Sequence, residues 1–533
     1  MLISLDDRLS FEKSKPGRRA VSLPKERFSG VDPLKSIPKT LLRQTSIGFP
    51  EMSESDIVRH FINLSRKNFS VDTHFYPLGS CTMKYNPKVN EWAARQEKFT
   101  ALHPLQSEAT TQGMLQILWE LEEGLKEISG MDRFTLQPAA GAHGELTGMM
   151  LVRAYHASRG GPNTDQSKRS GDWGRPNCHF EKEMKSLGGP TRTKVLVPDS
   201  SHGTNPASAA LFGYHVVEIK SNKHGCVDLE DLKQHLDEHV ACLMLTNPNT
   251  LGLFEKNILE ITKLVHQHGG LLYYDGANLN PLLGIARPGD MGFDIIHINL
   301  HKTFSTPHGG GGPGSGPVGV KKHLIPFLPG PLVEQTKKGF VWAPRSPQSI
   351  GRVKLFHGNV GVMIRAFAYL KTLGKEGLRK VSEAAILNAN YMKEMLKDTF
   401  QVATEGPCMH EFVLSLKSFA AQGVHAGDVG KRLLDLGFHA PTVHFPLVVP
   451  EALMIEPTET EARETLDLFI EAMKTIAHEV ATDPEKVKTA PHTLPVRRPN
   501  DVLAARKPIL SYRDQLREKL LAAEQRQVVS GKS

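Results

Sequence analysis

The chain has little cysteine, no long apolar run and no pattern of a secretory signal at its start. Each of these absences argues against one class of protein. Its five cysteines are spread over 533 residues without a Cys-x-x-Cys pair. This pattern argues against a disulfide framework and against a zinc site, so no metal site is predicted, and it favours a reducing compartment. No apolar stretch reaches the length of a bilayer span, and the first residues lack a basic-then-apolar signal. A cytoplasmic location is therefore expected.

Basic residues are in mild excess and are nowhere concentrated. The 65 Lys and Arg residues exceed the 57 Asp and Glu residues by a net charge of +8, and no five basic residues occur in a row. Neither nucleic acid nor a membrane is expected as a partner. With 39% hydrophobic and 23% charged residues, the composition is that of a globular protein with two or three domains.

Composition and pattern predict four parts. Residues 1–110, which are rich in Pro, Lys and Ser, are predicted to form an extended arm. Residues 111–360 are predicted to form a large domain. Residues 361–496 predict a smaller α+β domain, and residues 497–533 a highly charged tail that ends in disorder. A segment at 158–193, full of Gly, Pro, Ser, Arg and Lys, is interpreted as a surface insertion in the large domain.

Short apolar runs alternate with helical patterns in the large domain. The predicted strands are 134–137, 194–198, 216–219, 241–246, 271–274, 295–298 and 317–320, and the predicted helices are 114–128, 208–212, 229–236 and 257–268. In the smaller domain the predicted helices are 362–373, 378–396, 428–436 and 458–478, and the predicted strands are 411–415 and 453–455. The alternation predicts an α/β fold with a mostly parallel sheet, helices on both faces, and a ligand at the carboxyl ends of the strands.

Lys302 carries the strongest chemical signal. It follows an apolar strand and precedes the glycine-rich segment 308–316. An amine held in a dry pocket at a strand exit can lose its proton and attack an aldehyde. Asp275 ends another apolar strand, where it either caps the next helix or faces a ring nitrogen. A lysine that forms a Schiff base and an aspartate that pairs with a pyridinium nitrogen are the groups that pyridoxal 5'-phosphate needs most.

Three further motifs follow predicted strands. The small residues 140–142 open a helix, where free N–H groups suit a phosphate. His202 suits stacking on a flat ring or proton transfer, unless it is a surface residue beside a capping Asp199. Asn249 suits donation to a ring hydroxyl, unless the Asn and Pro residues around it only make a turn. In the arm, the aromatic and polar segment 75–85 is typical of a substrate channel or of a docking loop.

Seven strings of the sequence resemble the glycine cleavage system P-protein, glycine dehydrogenase (decarboxylating). They are residues 75–87, 198–209, 245–254, 274–280, 299–304, 308–314 and 454–459, in the expected order. In that family two similar halves occur in one chain or in two subunits. This chain resembles the second half alone, the subunit 2 that holds the cofactor lysine.

The resemblance implies a type I pyridoxal-phosphate-dependent transferase fold, like that of aspartate aminotransferase, with a smaller α+β C-terminal domain. It implies Lys302 and His202 as catalytic residues. The implied cofactor contacts are Lys302, Asp275, His202, Ala140, Gly141, Ala142, Asn249, Asn299 and His301. The implied reaction decarboxylates glycine and transfers the aminomethyl group to the lipoyl arm of H-protein. The implied partners are a subunit 1, two of each subunit, and lipoylated H-protein.

Two alternatives remain open at this point. Another type I pyridoxal-phosphate enzyme, an aminotransferase or an amino-acid decarboxylase, would share Lys302 and Asp275 without needing a lipoyl partner. A non-catalytic scaffold subunit would keep the fold but would have no need for a lysine in this setting.

Overall fold

The computed structural model describes residues 8–22, 32–45, 47–159, 192–309, 312 and 314–518. Most of the predicted insertion, part of the glycine-rich segment and the end of the charged tail lie outside the described residues. One compact unit spans Ser70–Ala490, and a second comprises Met1–Phe69 with Pro491–Ser533. The domain boundaries near residues 110, 360 and 496 stay a prediction.

The helices and strands follow one another along the chain in a largely alternating order. The α-helices are α1 Ser10–Lys13, α2 Glu54–Ser65, α3 Lys88–Ala94, α4 Glu97–Thr100, α5 Gln112–Ser129, α6 Gly141–Ser158, α7 Thr204–Leu211, α8 Leu229–His235, α9 Ile258–Gln267, α10 Val360–Leu396, α11 Lys417–Ala420, α12 Ala426–Asp435, α13 Arg463–Thr482, α14 Pro484–Lys488 and α15 Asp501–Arg506. Short 3₁₀ helices occupy Pro33–Ser36, Lys39–Leu41, Glu108–Thr110, Asn280–Leu282, Pro288–Met291 and Lys322–Phe327.

A seven-stranded sheet is the framework of the larger unit. Its strands are β1 Arg133–Thr135, β2 Lys194–Pro198, β3 His215–Ile219, β4 Val240–Thr246, β5 Leu271–Gly276, β6 Ile295–Ile298 and β7 Val318–Val320. They lie in the order β1-β7-β6-β5-β4-β2-β3. Every pairing is parallel except the two that β7 makes. The prediction of a mostly parallel sheet is confirmed.

Side chains that alternate along the central strands enter two different apolar cores. Tyr274 and its neighbours on one face pack with α5 and α9. Tyr273 and its neighbours on the other face pack with α6 and α7. Because both faces are covered, every residue of β4, β5 and β6 is buried, and these strands are mostly apolar, with Thr246, Asp275 and His297 near their carboxyl ends.

A second, four-stranded sheet belongs to the smaller α+β part. Strands β8 Val333–Thr336 and β9 Gly339–Trp342 form a separate hairpin, and the second sheet is built from β10 Gln401–Val402, β11 Phe412–Ser415, β12 Thr442–Val443 and β13 Ala452–Ile455. It is antiparallel, in the order β10-β11-β13-β12. Residues of α10, α12 and α13 share an apolar core with it.

One helix prediction in this part is confirmed and another differs from the structure. The predicted helices 362–373 and 378–396 correspond to the two parts of α10, which is broken between them at Gly374, with φ 60° and ψ −173°. Helix α13 begins at Arg463 and not at Thr458, because Thr458 has a φ of 63° and the following Glu459 pairs with Lys84 instead of entering a helix.

The smaller compact unit combines residues from both ends of the chain. Phe11 stacks on Tyr512 with ring centroids 4.7 Å apart, and Arg18 pairs with Asp56 at 2.7 Å. Across the described residues of both units, no helix is both long enough and apolar enough to cross a bilayer.

Candidate active site

Three parallel strands end side by side at the carboxyl edge of the large sheet. In their register, Thr246 of β4 pairs with Asp275 of β5, and Asp275 pairs with His297 of β6. A cavity of about 250 Å³ lies against this edge. Because open α/β sheets bind their ligands here, the cavity is the candidate active site.

Lys302 enters this cavity from the loop that follows β6. Its side chain lines the cavity together with Asp275 and His202, and Asn299 and His301 line it too. The Nζ atom donates a hydrogen bond to the backbone carbonyl oxygen of Ser80 at 2.7 Å. The fold therefore brings together the amine and the carboxylate that the sequence singled out.

Asp275 is buried and ionised. One of its carboxylate oxygens, Oδ1, accepts a hydrogen bond from the Ala277 N–H at 2.9 Å and lies 3.3 Å from Nε2 of His297. Burial alone would raise the pKa of Asp275, but His297, the Ala277 N–H and Lys302 together outweigh burial and lower that pKa below its usual value. Asp275 therefore carries a fixed negative charge into the cavity at neutral pH.

His297, the neighbour of Asp275 on β6, is a site residue that the sequence reasoning missed. Its Nδ1 lies 2.7 Å from the hydroxyl of Tyr273. Burial raises the pKa of Tyr273 well above its usual value and lowers that of His297, so the tyrosine keeps its proton and the imidazole is neutral. The hydroxyl then donates to Nδ1, and the ring proton is on Nε2, the atom nearest Asp275. The available signal was a single histidine inside an apolar strand.

Helix α6 begins at the cavity with small residues. Ala140, Gly141 and Ala142 line the cavity, and the N–H groups of a first helical turn have no acceptor inside the helix. A Cβ on Gly141 would lie 2.7 Å from the side-chain amide of Asn299, and a Cβ on Gly316 would lie 2.1 Å from the carbonyl oxygen of Ala140. This close backbone packing leaves a cradle in which the helix start can bind a phosphate.

Glu145 of α6 connects the interior of the cavity to its mouth. Its carboxyl group accepts hydrogen bonds from the hydroxyls of Thr204 at 2.9 Å and Ser208 at 3.3 Å. Burial, and then the charge of Asp275, raise the pKa of Glu145 to about 8. Glu145 is therefore mostly protonated at pH 7. The sequence motif contained this residue but gave it no role.

His202 lies at the exposed mouth of the cavity. The N–H of Thr204 donates to its Nδ1 at 3.3 Å, so the proton of the neutral ring is on Nε2. Partial desolvation, and then the charge of Lys302, lower the pKa of His202, while Asp275 acts in the opposite direction. Phe445 packs edge-on against the ring, with centroids 5.7 Å apart.

Asn249 lies in a turn and does not line the cavity. Its Oδ1 accepts hydrogen bonds from the N–H groups of Leu251 and Leu253 at 3.0 and 3.1 Å, and its Nδ2 donates to the carbonyl oxygen of Gly225 at 2.7 Å. The amide thus closes the turn after β4, and a contact of Asn249 with the cofactor stays a prediction. Thr246 and Thr250 line the cavity from this side instead.

The aromatic and polar segment of the predicted arm contributes one wall. Ser80 lines the cavity. Lys84 is only 2% exposed, and its Nζ donates to Asn280 at 2.8 Å, to the Tyr369 hydroxyl at 3.0 Å and to Glu459 at 2.7 Å. These buried contacts fix the segment to the 3₁₀ helix Asn280–Leu282, to α10 and to the loop that follows β13.

The cavity fits a ligand that carries a phosphate and polar ring substituents. Thr246 Oγ1 and Asn278 Oδ1 are buried in its wall without a hydrogen-bond partner among the described residues. Such atoms are costly unless a ligand satisfies them. With the helix start, the ionised Asp275 and the Lys302 amine, they supply the donor and acceptor set that pyridoxal phosphate requires.

Solved structures share this fold. An inhibitor-bound glycine decarboxylase (P-protein) of the glycine cleavage system aligns with a TM-score of 0.67 and 23% identity, over 83% of this chain and 94% of that chain. An alanine–glyoxylate aminotransferase from Nostoc sp. aligns with a TM-score of 0.52 and 15% identity, over 76% of this chain and 96% of that chain. The chain therefore has the type I fold of pyridoxal-phosphate enzymes, as predicted.

Sequence relatives identify the family. A family model described as "Glycine dehydrogenase, C-terminal domain" matches residues 381–496. A "Probable glycine dehydrogenase (decarboxylating) subunit 2" from Caldanaerobacter subterraneus subsp. tengcongensis is 55% identical over 504 residues, covering 95% of this chain and 98% of that protein. The chain belongs to the family of glycine dehydrogenase (decarboxylating) subunit 2, which confirms the resemblance drawn from the sequence.

Proposed function

We propose that this chain binds pyridoxal 5'-phosphate in the cavity, through Lys302, and catalyses glycine decarboxylation with transfer of the aminomethyl group to the lipoyl arm of H-protein. The observation that carries the proposal is the meeting, in one cavity, of the Lys302 amine, the ionised Asp275, the start of α6 and His202. Membership of the glycine dehydrogenase (decarboxylating) subunit 2 family supports glycine as the substrate.

When bound, pyridoxal phosphate supplies an electron sink for the bond that breaks as carbon dioxide leaves. The residues of this chain hold it in place. The start of α6 would bind its phosphate, and the Lys302 amine would bond to its aldehyde carbon with loss of water. Asp275, ionised beside His297, would hold a proton on the ring nitrogen. Asn299 and His301 also line the cavity.

His202 is proposed to stack on the ring and to carry a proton at Nε2. Its lowered pKa keeps it neutral, so that it can both accept and release a proton near pH 7. The Thr204 N–H, which donates to Nδ1, fixes the ring orientation, and the Thr204 hydroxyl is itself held by Glu145. The wall formed by Ser80 and the buried Lys84 excludes water from the lysine side, which reduces stray protonation of the substrate carbon.

The partners and the location belong to the same proposal. A subunit 2 implies a subunit 1, and we propose an assembly with two of each, served by lipoylated H-protein. A cytoplasmic location is supported by the free thiols of Cys81, Cys226, Cys242 and Cys408 among the described residues. We also propose that the chain is divided into an arm, a large domain with an insertion, a small domain and a charged tail.

Exchange of labelled bicarbonate into the carboxyl group of glycine tests the function. With subunit 1 and lipoylated H-protein present, we expect exchange by the wild-type chain and a loss by a factor of about 10³ or more in Lys302→Ala. Lys263→Ala, at an exposed lysine of α9 away from the cavity, is the matched control for the loss of a lysine. Exchange that does not depend on H-protein would favour another pyridoxal-phosphate enzyme, and full exchange by Lys302→Ala would contradict the proposal.

A further inference from the structure

The Lys302 amine is held by a backbone carbonyl that itself sits in an unusual loop. Its acceptor is Ser80, and both Ser80 and the nearby Thr82 have positive φ angles, 56° and 45°. Non-glycine residues adopt this conformation only when surrounding contacts impose it. The position of the amine therefore depends on whatever holds this loop.

Two fully buried glutamates hold the loop by hydrogen bonds, one to Ser80 and the other to Thr82. Glu411 accepts the Ser80 N–H at 2.7 Å and the Ser80 hydroxyl at 3.1 Å. Glu456 accepts the Thr82 N–H at 2.9 Å and the Thr82 hydroxyl at 2.6 Å. Both glutamates accept one backbone N–H and one hydroxyl. Only Ser80, which Glu411 holds, also accepts a hydrogen bond from Lys302.

Glu411 has a second connection to the cavity that Glu456 lacks. Its Oε1 accepts a hydrogen bond at 3.1 Å from Nδ2 of Asn278, a residue of the cavity wall. Glu411 is completely buried and lies directly before β11, whose four residues are all buried. A carboxyl group on so rigid a support can fix a peptide group to within a few tenths of an ångström.

We propose that Glu411 is a positioning residue for Lys302. It holds the Ser80 peptide so that the carbonyl oxygen of Ser80 keeps the lysine amine in the cavity. The amine then stays within reach of the aldehyde whenever it is not bonded to it. This inference rests on the proposed role of Lys302 and adds a residue to it. Glu411 does not line the cavity, so it acts through Ser80 and Asn278.

A role confined to folding makes a different prediction. If the two glutamates only stabilised the loop, Glu411→Gln and Glu456→Gln would have similar effects on Lys302. If Glu411 positions the amine, its amide variant has one accepting oxygen for two fixed donors, the Ser80 N–H on Oε2 and the Asn278 amide on Oε1. An amide nitrogen cannot accept a hydrogen bond, whereas a carboxyl oxygen can, whether the group is ionised or protonated. Ser80 then shifts, and Lys302 loses its carbonyl acceptor in that variant alone.

The test measures how fast Lys302 reacts in the full-length chain stripped of cofactor. The probe is trinitrobenzenesulfonate, an amine reagent, and labelling of Lys302 is followed by peptide mass spectrometry at pH 7.5. Loss of an acceptor frees the amine, so we expect labelling to rise about threefold or more in Glu411→Gln and to stay within about 1.5-fold of wild type in Glu456→Gln. Equal changes in both variants, or no change in Glu411→Gln, would overturn the inference.

A milder pair covers the case in which Glu411→Gln does not fold. Ser80→Ala removes only the hydroxyl that Glu411 accepts, and Thr82→Ala removes the corresponding hydroxyl on the Glu456 side. We expect about a twofold rise in Lys302 labelling for Ser80→Ala and none for Thr82→Ala; the reverse order would contradict the inference.

Reduction of the wild-type chain loaded with pyridoxal phosphate by borohydride separates this inference from the proposed function. A pyridoxyl label away from Lys302 would refute the proposed function. A label on Lys302, together with equal trinitrobenzenesulfonate labelling in the two glutamine variants, would refute only the positioning role.

Discussion

Two buried clusters of one histidine and two carboxyl groups lie near Lys302, yet their charges differ. The sheet cluster consists of Glu145, Asp275 and His297, and the small-domain cluster of His410, Glu411 and Glu456. In the sheet cluster one carboxyl group is ionised, since the pKa of Asp275 is lowered despite burial. In the small-domain cluster, burial raises the pKa of Glu411 well above its usual value and that of Glu456 to about 7.

The histidines explain the difference. His297 lies 3.3 Å from Asp275, and its other nitrogen contacts the Tyr273 hydroxyl. His410 lies 3.8 Å from Glu456, and neither of its ring nitrogens has a hydrogen-bond partner among the described residues. Burial lowers the pKa of both histidines, that of His410 to about 3, so neither ring carries a positive charge and only the contacts of the two rings differ. The arrangement of partners, and not the composition of a cluster, therefore decides which group can serve a cationic ring.

Removal of the ionised carboxylate should have the largest effect. In Asp275→Asn the cavity loses the negative charge proposed to hold the ring-nitrogen proton. We expect the H-protein-dependent exchange of bicarbonate into glycine to fall by a factor of about 10² to 10⁴. Exchange is measured beside Glu456→Gln, which removes a carboxyl group from the other cluster and should cost less than about tenfold. Similar losses in the two variants would abolish the distinction between the clusters.

The small-domain cluster should make stability depend on pH. The pKa of Glu456 rises from its usual 4.5 to about 7 on folding, mainly through burial, while Thr82 opposes the rise. The folded chain then binds this proton more tightly than the unfolded chain. The resulting stabilisation is complete below pH 4.5 and is lost as the pH rises to 7, by up to about 3 kcal/mol.

Urea unfolding at several pH values between 4.5 and 8 measures this loss. Glu456→Gln cannot titrate at this position, so the difference in unfolding free energy between it and the wild type should shift in favour of the variant as the pH rises. A difference that stays constant across the window would show that Glu456 keeps its usual pKa.

Replacing each histidine by leucine compares the clusters at similar volume. His297→Leu leaves the buried Tyr273 hydroxyl and Asp275 without their partner and should cost about 1–3 kcal/mol of unfolding free energy. His410→Leu removes two unpaired buried nitrogens and should be neutral or stabilising by about 1 kcal/mol. The urea midpoints of the two variants at pH 7 check this, and a loss of equal size in both would mean that His410 has partners after all.

The sequence predicts the sheet cluster in part because strand ends are local signals. Asp275 and Lys302 each follow an apolar strand, and parallel pairing brings such positions to one edge. Asn249 carried the same signal, but its amide closes its own turn. The sequence pattern alone does not show whether a polar side chain that follows a strand enters the cavity or closes its own turn.

The small-domain cluster could not be predicted from local pattern. Ser80 and Glu411 are 331 residues apart, and the sequence near either residue gives no sign that the two are in contact. Ser80 and Thr82 also have positive φ angles, which the sequence does not predict because neither residue is a glycine. Only the packing of the segment around Ser80 against the second sheet brings these groups together, so the cluster is recognised from the structure alone.

Borohydride reduction of the chain loaded with pyridoxal phosphate, followed by peptide mapping, shows directly whether Lys302 holds the cofactor. We expect one pyridoxyl group on the peptide that contains Lys302 and none on the peptide that contains the buried Lys84. A label on Lys84 or on another lysine, with Lys302 unmodified, would contradict this expectation.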